Sequence, residues 1–110
     1  MMNKIFIALF VVVVLCCTAL YASAQKMSSN SGEALFAANC QVCHPNGGNI
    51  INPAKTLHQK DRYAHSVKTE ADIVKIMRNP GPGMTKFDEK AISDKDAHTI
   101  AAYVIKTFSK

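Results

Sequence analysis

The chain has 110 residues, of which 13 are Lys or Arg and 8 are Asp or Glu, giving a net charge of +5 at neutral pH. A chain of this length forms one small domain with a modest core. The charge is only mildly basic, and no basic run is interleaved with aromatic residues. The sequence therefore excludes an ordinary nucleic-acid-binding surface.

The first two dozen residues have the pattern of an export signal. Lys4 precedes an almost wholly apolar run over residues 5–20, and Ala22-Ser23-Ala24 follows as a small-residue cleavage site. We therefore expect residues 1–24 to be a cleaved signal peptide. Residues 25–110 then form the working domain, which we expect in the periplasm.

Two alternatives to cleavage remain open for this segment. Its apolar run approaches the roughly 20 residues that a membrane-spanning helix needs. Cys16 or Cys17 could instead be acylated, which would anchor the protein by a lipid to a membrane facing the periplasm. We expect no membrane association unless the chain is lipidated.

The rest of the chain predicts short helices and no strand. Ser31 can cap a helix over residues 32–42, and a second short helix is expected over residues 54–60. Thr69 can begin a third helix, which must end before Pro80. After a cap at Ser93, the last helix has apolar residues at helical spacing: Ala97, Ile100, Ala101, Val104, Ile105 and Phe108. The prediction is an all-α domain whose long loops are unusual for its size unless they enclose a cofactor.

One motif carries specific chemistry: Cys40-Gln41-Val42-Cys43-His44. Two cysteines three residues apart can form thioethers to the two vinyl groups of one haem, and the adjacent histidine can bind the iron. A thioredoxin-like redox pair would need a βαβ context, which this sequence lacks. A zinc site would need two further well-spaced Cys or His ligands, and His58 and His65 are poorly placed in the sequence to supply them.

The iron then needs a sixth ligand or keeps an open position. Met84 is the best candidate, because it directly follows the stiff Pro80-Gly81-Pro82-Gly83 loop, and a Met/His pair raises the reduction potential. Met77 is expected in the core against the haem, and Met27 lies in the polar leader. The alternatives that would give two imidazole ligands are His58, His65 and His98.

Six segments resemble landmarks of the class I c-type cytochromes, and of the cytochrome c6 (c553) group in particular. In chain order they are Gly32-Glu-Ala-Leu-Phe36, Asn39-Cys-Gln-Val-Cys-His44, Gly47-Gly-Asn49, Asn52-Pro-Ala-Lys-Thr-Leu57, Gly83-Met-Thr-Lys-Phe87 and Ala101-Ala-Tyr-Val104. The loop over residues 79–84 is also similar to that of monohaem cytochromes of metal-reducing bacteria. One departure is Thr85, where family members commonly have proline.

The resemblance implies a small cytochrome c fold, with about four short helices and long loops around one covalently attached haem c. It implies that the first helix of the domain crosses the last, bringing Gly32 and Phe36 against Tyr103. It also implies that one segment lines the haem and its propionates, with the residues Asn49, Asn52, Lys55 and Thr56.

The function that follows is transfer of single electrons between redox proteins in an extracytoplasmic respiratory or photosynthetic-type chain, with low-spin iron. We expect a monomer without enzyme activity or a small-molecule substrate. Partners would dock over the haem edge, where lysines can steer them: Lys55, Lys60, Lys86 and Lys90. Two other functions remain open, a five-coordinate enzyme or gas sensor and an accessory subunit of a larger redox complex.

Overall fold

A computed structural model describes residues 3–22 and 30–110, and within these ranges it contains helices and no strand. The α-helices are α1 (Lys4–Ala22), α2 (Gly32–Asn39), α3 (Gln59–Ala64), α4 (Glu70–Arg78) and α5 (Asp94–Thr107), with a 3₁₀ turn at Pro45–Gly47. The predicted cleavage point after Ala24, and Met27, lie outside the described residues. Among the residues described, no helix is sufficiently long and apolar to cross a membrane.

Helix α2 begins where the sequence predicts and ends earlier. The Ser31 side chain accepts a hydrogen bond from the Ala34 amide at 3.1 Å, which satisfies one free donor of the first turn. The predicted end at residue 42 is wrong, because the helix stops at Asn39 and Cys40 leaves the helical region. The amides of residues 43 and 44 then both bond to the Cys40 carbonyl, so the motif forms a tight turn.

The predicted helix over residues 54–60 is also wrong, since α3 covers Gln59–Ala64 instead. The Asn52 side chain accepts a hydrogen bond from the Ala54 amide at 3.1 Å, and the Asn52 carbonyl accepts one from Lys55. These local bonds hold the chain in a turn and compete with helix formation. Helix α3 is therefore displaced by about one turn toward the C-terminus.

Helix α4 has the predicted capping box. Thr69 accepts from the Asp72 amide at 3.2 Å, and the Asp72 carboxylate accepts from the Thr69 amide at 2.8 Å. Hydrogen bonds from the backbone N–H groups of Lys68 and Thr69 lower the pKa of Asp72. At the other end, α4 stops at Arg78, two residues before Pro80, as a proline requires.

Helices α2 and α4 both pack against α5. The expected crossing of α2 and α5 is confirmed, because a Cβ atom at Gly32 would lie 2.7 Å from Tyr103 Cβ. The Phe36 and Tyr103 rings are 5.3 Å apart, and Phe108 closes the same cluster. The buried hydrophobic residues form one core: Phe36, Ile73, Met77, Ile92, Ala97, Ile100, Ala101, Val104 and Phe108.

Candidate functional site

A cavity of about 470 Å³ lies between the three packed helices and the loops that follow them. Its volume falls within the range of small-molecule and cofactor sites. Its apolar wall is formed by core residues from α2, α4 and α5, namely Phe36, Ile73, Met77, Ile100 and Val104. The core of this small domain is therefore built around an internal space.

Both cysteines of the motif line this cavity, and they are not joined by a disulfide. Burial away from water raises the pKa of the Cys40 thiol to about 11. A structural zinc site needs four Cys or His ligands. No group of three or more His, Cys, Asp or Glu side chains is arranged to hold a metal ion in residues 3–22 and 30–110. The donor set therefore fits thioether attachment better than a zinc site.

His44 lies on the same cavity wall, and a hydrogen bond defines its tautomer. Its Nδ1 is 2.7 Å from the Gly48 carbonyl oxygen. A carbonyl can only accept, so Nδ1 carries the proton and Nε2 keeps a free lone pair. In metal sites, a hydrogen bond from the ring nitrogen that does not bind the metal commonly orients the histidine.

Met84 lines the cavity at the end of the proline-glycine loop. Gly83 has a φ of +90°, which favours glycine, and a Cβ atom there would meet Ile51 Cγ2 at 2.8 Å. The Ile51 side chain thus packs directly on the loop just before Met84. Although 40 positions separate them in the sequence, His44 and Met84 line one cavity.

The residues that the resemblance places around the haem and its propionates also line the cavity: Asn49, Asn52, Lys55 and Thr56. Asn49 organises this segment, because its Oδ1 accepts from the amides of Ile51 and Asn52, both at 2.9 Å, and its Nδ2 donates to the Lys55 carbonyl. Thr56 donates to the Asp61 carboxylate at 2.5 Å. These residues make one end of the cavity polar.

Arg62 is a site residue that the sequence reasoning missed. It is only 5% exposed and lines the polar end of the cavity. Its Nε donates to the Leu57 carbonyl at 2.8 Å and its Nη1 to the Val67 carbonyl at 3.4 Å. These two bonds use two of its five N–H donors, so a carboxylate-bearing cofactor would find a buried cation here. No local sequence pattern marks Arg62, since its burial depends on tertiary packing.

The alternative ligands differ in position. His65 lines the cavity, whereas His58 packs edge-on against Phe108 and His98 lies 3.7 Å from the Glu70 carboxylate, and neither of these two lines it. Met77 is buried in the core, as expected. Met84 and His65 are thus the two candidate ligands that line the same cavity as His44.

Comparison with known proteins gives consistent matches. A family model described as "Cytochrome C oxidase, cbb3-type, subunit III" matches residues 28–104. The cytochrome c6 of Synechocystis sp. is 42% identical over 79 residues, which are 72% of this chain and 65% of that protein, slightly less than two thirds of its length. The cytochrome c6 of Cyanidium caldarium is 35% identical over 79 residues, 72% of this chain and 71% of that protein.

Solved structures agree with these sequence matches. OmcF, the outer membrane cytochrome F of Geobacter sulfurreducens, is 44% identical with a TM-score of 0.70, covering 72% of this chain and 100% of that chain. Oxidised cytochrome c6A of Arabidopsis thaliana is 28% identical with a TM-score of 0.66, covering 78% of this chain and 99% of that chain. The residues that the family model matches, 28–104, include every residue that lines the cavity.

Proposed function

The chain belongs to the class I c-type cytochromes, which hold one covalently attached haem c, and we propose that it carries single electrons between redox proteins outside the cytoplasm. The observation that supports this best is the meeting of four side chains at one cavity. Cys40 and Cys43 would bind the haem vinyl groups as thioethers, and His44 and Met84 would be the two side chains that bind the iron. The haem supplies an iron that alternates between the ferric and ferrous states.

The proposed role of the protein is to keep the iron ligands in place during transfer. The Gly48 carbonyl orients His44 through Nδ1, and the proline-glycine loop carries Met84. Because both ligands are held by the chain, little rearrangement would accompany a change of oxidation state. The buried apolar wall would keep water from the cofactor, and these features together set the potential.

We propose that the mouth of this cavity is the surface on which redox partners dock. Val42, Ile50 and Ile51 are exposed by 82%, 60% and 59%, respectively, although they are large and apolar. They are close together, since the Ile50 amide donates to the Cys43 carbonyl at 3.0 Å and Ile51 lines the cavity. Lys55 lies at the same mouth, so a partner with an apolar centre and an acidic rim would fit.

For the N-terminal segment we propose export and cleavage after Ala24. The sequence pattern of residues 1–24 supports this. The test is the mass and N-terminal sequence of the protein recovered from the periplasm. A new N-terminus at Gln25 is expected, whereas a lipid-modified Cys16 or Cys17, or an intact N-terminus, would contradict cleavage at this position.

The ligand assignment is tested by optical spectra of the oxidised haem protein. Ferric haem iron that is bound by a methionine sulfur has a weak far-red absorption band. Met84→Leu should abolish this band while leaving the haem attached through its two cysteines. Met77→Leu is the matched control, because it replaces another methionine lining the cavity and should retain the band. If Met84→Leu keeps the band, Met84 is not the ligand. If the wild type lacks the band and His65→Gln changes the spectrum, two imidazoles bind the iron.

A further inference from the structure

The loop that carries Met84 has Ile51 packed on it at Gly83, but its backbone hydrogen bonds lie mainly at its two ends. At its start, the Asn79 amide donates to the Lys75 carbonyl at 2.9 Å and closes α4. At its end, the Phe87 amide returns to the Met77 carbonyl, also at 2.9 Å. Between these ends, the described backbone bonds include only a long one, from the Met84 amide to the Gly81 carbonyl at 3.5 Å. The position of Met84 therefore depends on how firmly the ends are held.

Arg78, the last residue of α4, links this loop to the helix that follows it. Its Nη1 donates to the carbonyls of Phe87 and Ile92, both at 2.9 Å. Its Nη2 donates to the Asp94 carboxylate at 2.7 Å, at the first turn of α5. One side chain thus joins the end of α4, the end of the Met84 loop and the start of α5.

We propose that Arg78 is a positioning residue for Met84, an inference that rests on the proposed Met84 ligation. Phe87 is held from both sides, through its amide by Met77 and through its carbonyl by Arg78. Arg78 does not line the cavity, so it acts through the loop and not by direct contact with the cofactor.

The proposal depends more on the hydrogen bonds from Arg78 to the Phe87 and Ile92 carbonyls than on the ion pair with Asp94. The Arg78 side chain is 21% exposed, but the Asp94 side chain is 65% exposed, and exposed ion pairs contribute little. A planar guanidinium can serve two carbonyls and a carboxylate at once. A lysine has its donors on one nitrogen and would lose this geometry while keeping the charge. Arg78→Lys is therefore an informative change, and Asp94→Asn is its control.

The experiment measures how easily added imidazole displaces the Met84 sulfur in the ferric haem protein. In Arg78→Lys and Arg78→Gln we expect imidazole to bind about tenfold more tightly, the size expected on losing hydrogen bonds from a charged donor. Hydrogen exchange at the Phe87 amide should accelerate in the same variants at a temperature where circular dichroism shows them folded. Asp94→Asn should keep the wild-type imidazole affinity, because both carbonyl bonds remain.

Several outcomes would contradict the proposal, each in a different way. Wild-type imidazole affinity in both Arg78 variants overturns it, as does an equal effect of Asp94→Asn, which would make the ion pair the cause. If the Arg78 variants lose the far-red band only under conditions in which the whole domain unfolds, Arg78 stabilises the fold in general and does not position Met84. If Met84→Leu retains the band, both this proposal and the ligand assignment fail. If it loses the band and Arg78→Lys behaves as wild type, only the Arg78 proposal fails.

Discussion

The crossing of α2 and α5 makes Gly32→Ala a quantitative test of the packing. The added Cβ atom would lie 2.7 Å from Tyr103 Cβ and 2.8 Å from the Thr99 carbonyl oxygen. Neither atom can rotate away, because both positions are set by the backbone of α5. Overpacking of this kind costs about 1–3 kcal/mol, and the better helix propensity of alanine returns at most about 1 kcal/mol. We expect a net loss of about 1–2 kcal/mol.

Thermal unfolding of the haem protein measures this loss. A domain of 60–100 residues loses roughly 4–8 °C in Tm for each kcal/mol, so Gly32→Ala should unfold about 5–15 °C below wild type. Glu33→Ala is the control, because it places an alanine at an exposed position in the first turn of the same helix. If the two variants unfold at the same temperature, the helices do not approach each other as closely as the structure shows.

Three further predictions concern a thiol, a cap and the ligand loop. In the haem-free chain, alkylation of Cys40 by iodoacetamide, followed by mass spectrometry, should keep rising up to pH about 11, and covalent haem should abolish it. The lowered pKa of Asp72 gives stability that is present above its unfolded value of about 3.9 and is lost as the pH falls through the lower folded value. Asp72→Asn should therefore flatten the acid-side fall in the free energy of unfolding measured with urea, and an unchanged slope would contradict the capping box. Thr85 lies outside the helices and its amide makes no described hydrogen bond, so Thr85→Pro should stiffen the loop without removing such a bond and weaken imidazole binding about two- to fivefold. Tighter imidazole binding would mean that proline distorts the loop.

The starts of α2, α4 and α5 could be predicted because their signals are local. Ser31, Thr69 and Ser93 each accept a hydrogen bond from an amide three residues ahead, an arrangement determined by neighbouring residues alone. The two wrong boundaries arise where loops surround the cavity. Cys40 ends α2 early in the attachment turn, and Asn52 holds a turn where a helix was predicted. At both places, local hydrogen bonds in a loop replace the regular helix that composition favours.

The residues of the candidate site also fall into two groups, those that a local sequence pattern predicts and those whose role depends on tertiary packing. Cys40, Cys43 and His44 are adjacent in sequence, so their common chemistry is visible in the motif. Met84 could be proposed because proline and glycine mark a stiff loop just before it. Arg62 gave no such signal, since charged side chains are normally exposed and only the packing of α3 against the cavity buries this one. The role of Arg78 likewise depends on a carbonyl nine residues away and another fourteen away.

The cavity wall and the hydrophobic core share the same residues, which makes the haem part of the folded core. Ile100 and Val104 are almost completely buried, contribute to the packing of α5 and also line the cavity. Helices α2 and α4 both pack on α5 from the core side. Cys40 comes directly after α2, and Met84 follows α4. A haem bound at both residues would therefore link α2 to α4, in addition to the contacts that each helix makes with α5. Haem attachment would then stabilise the fold as well as supply the iron, since a group that binds only the folded chain shifts the equilibrium toward it.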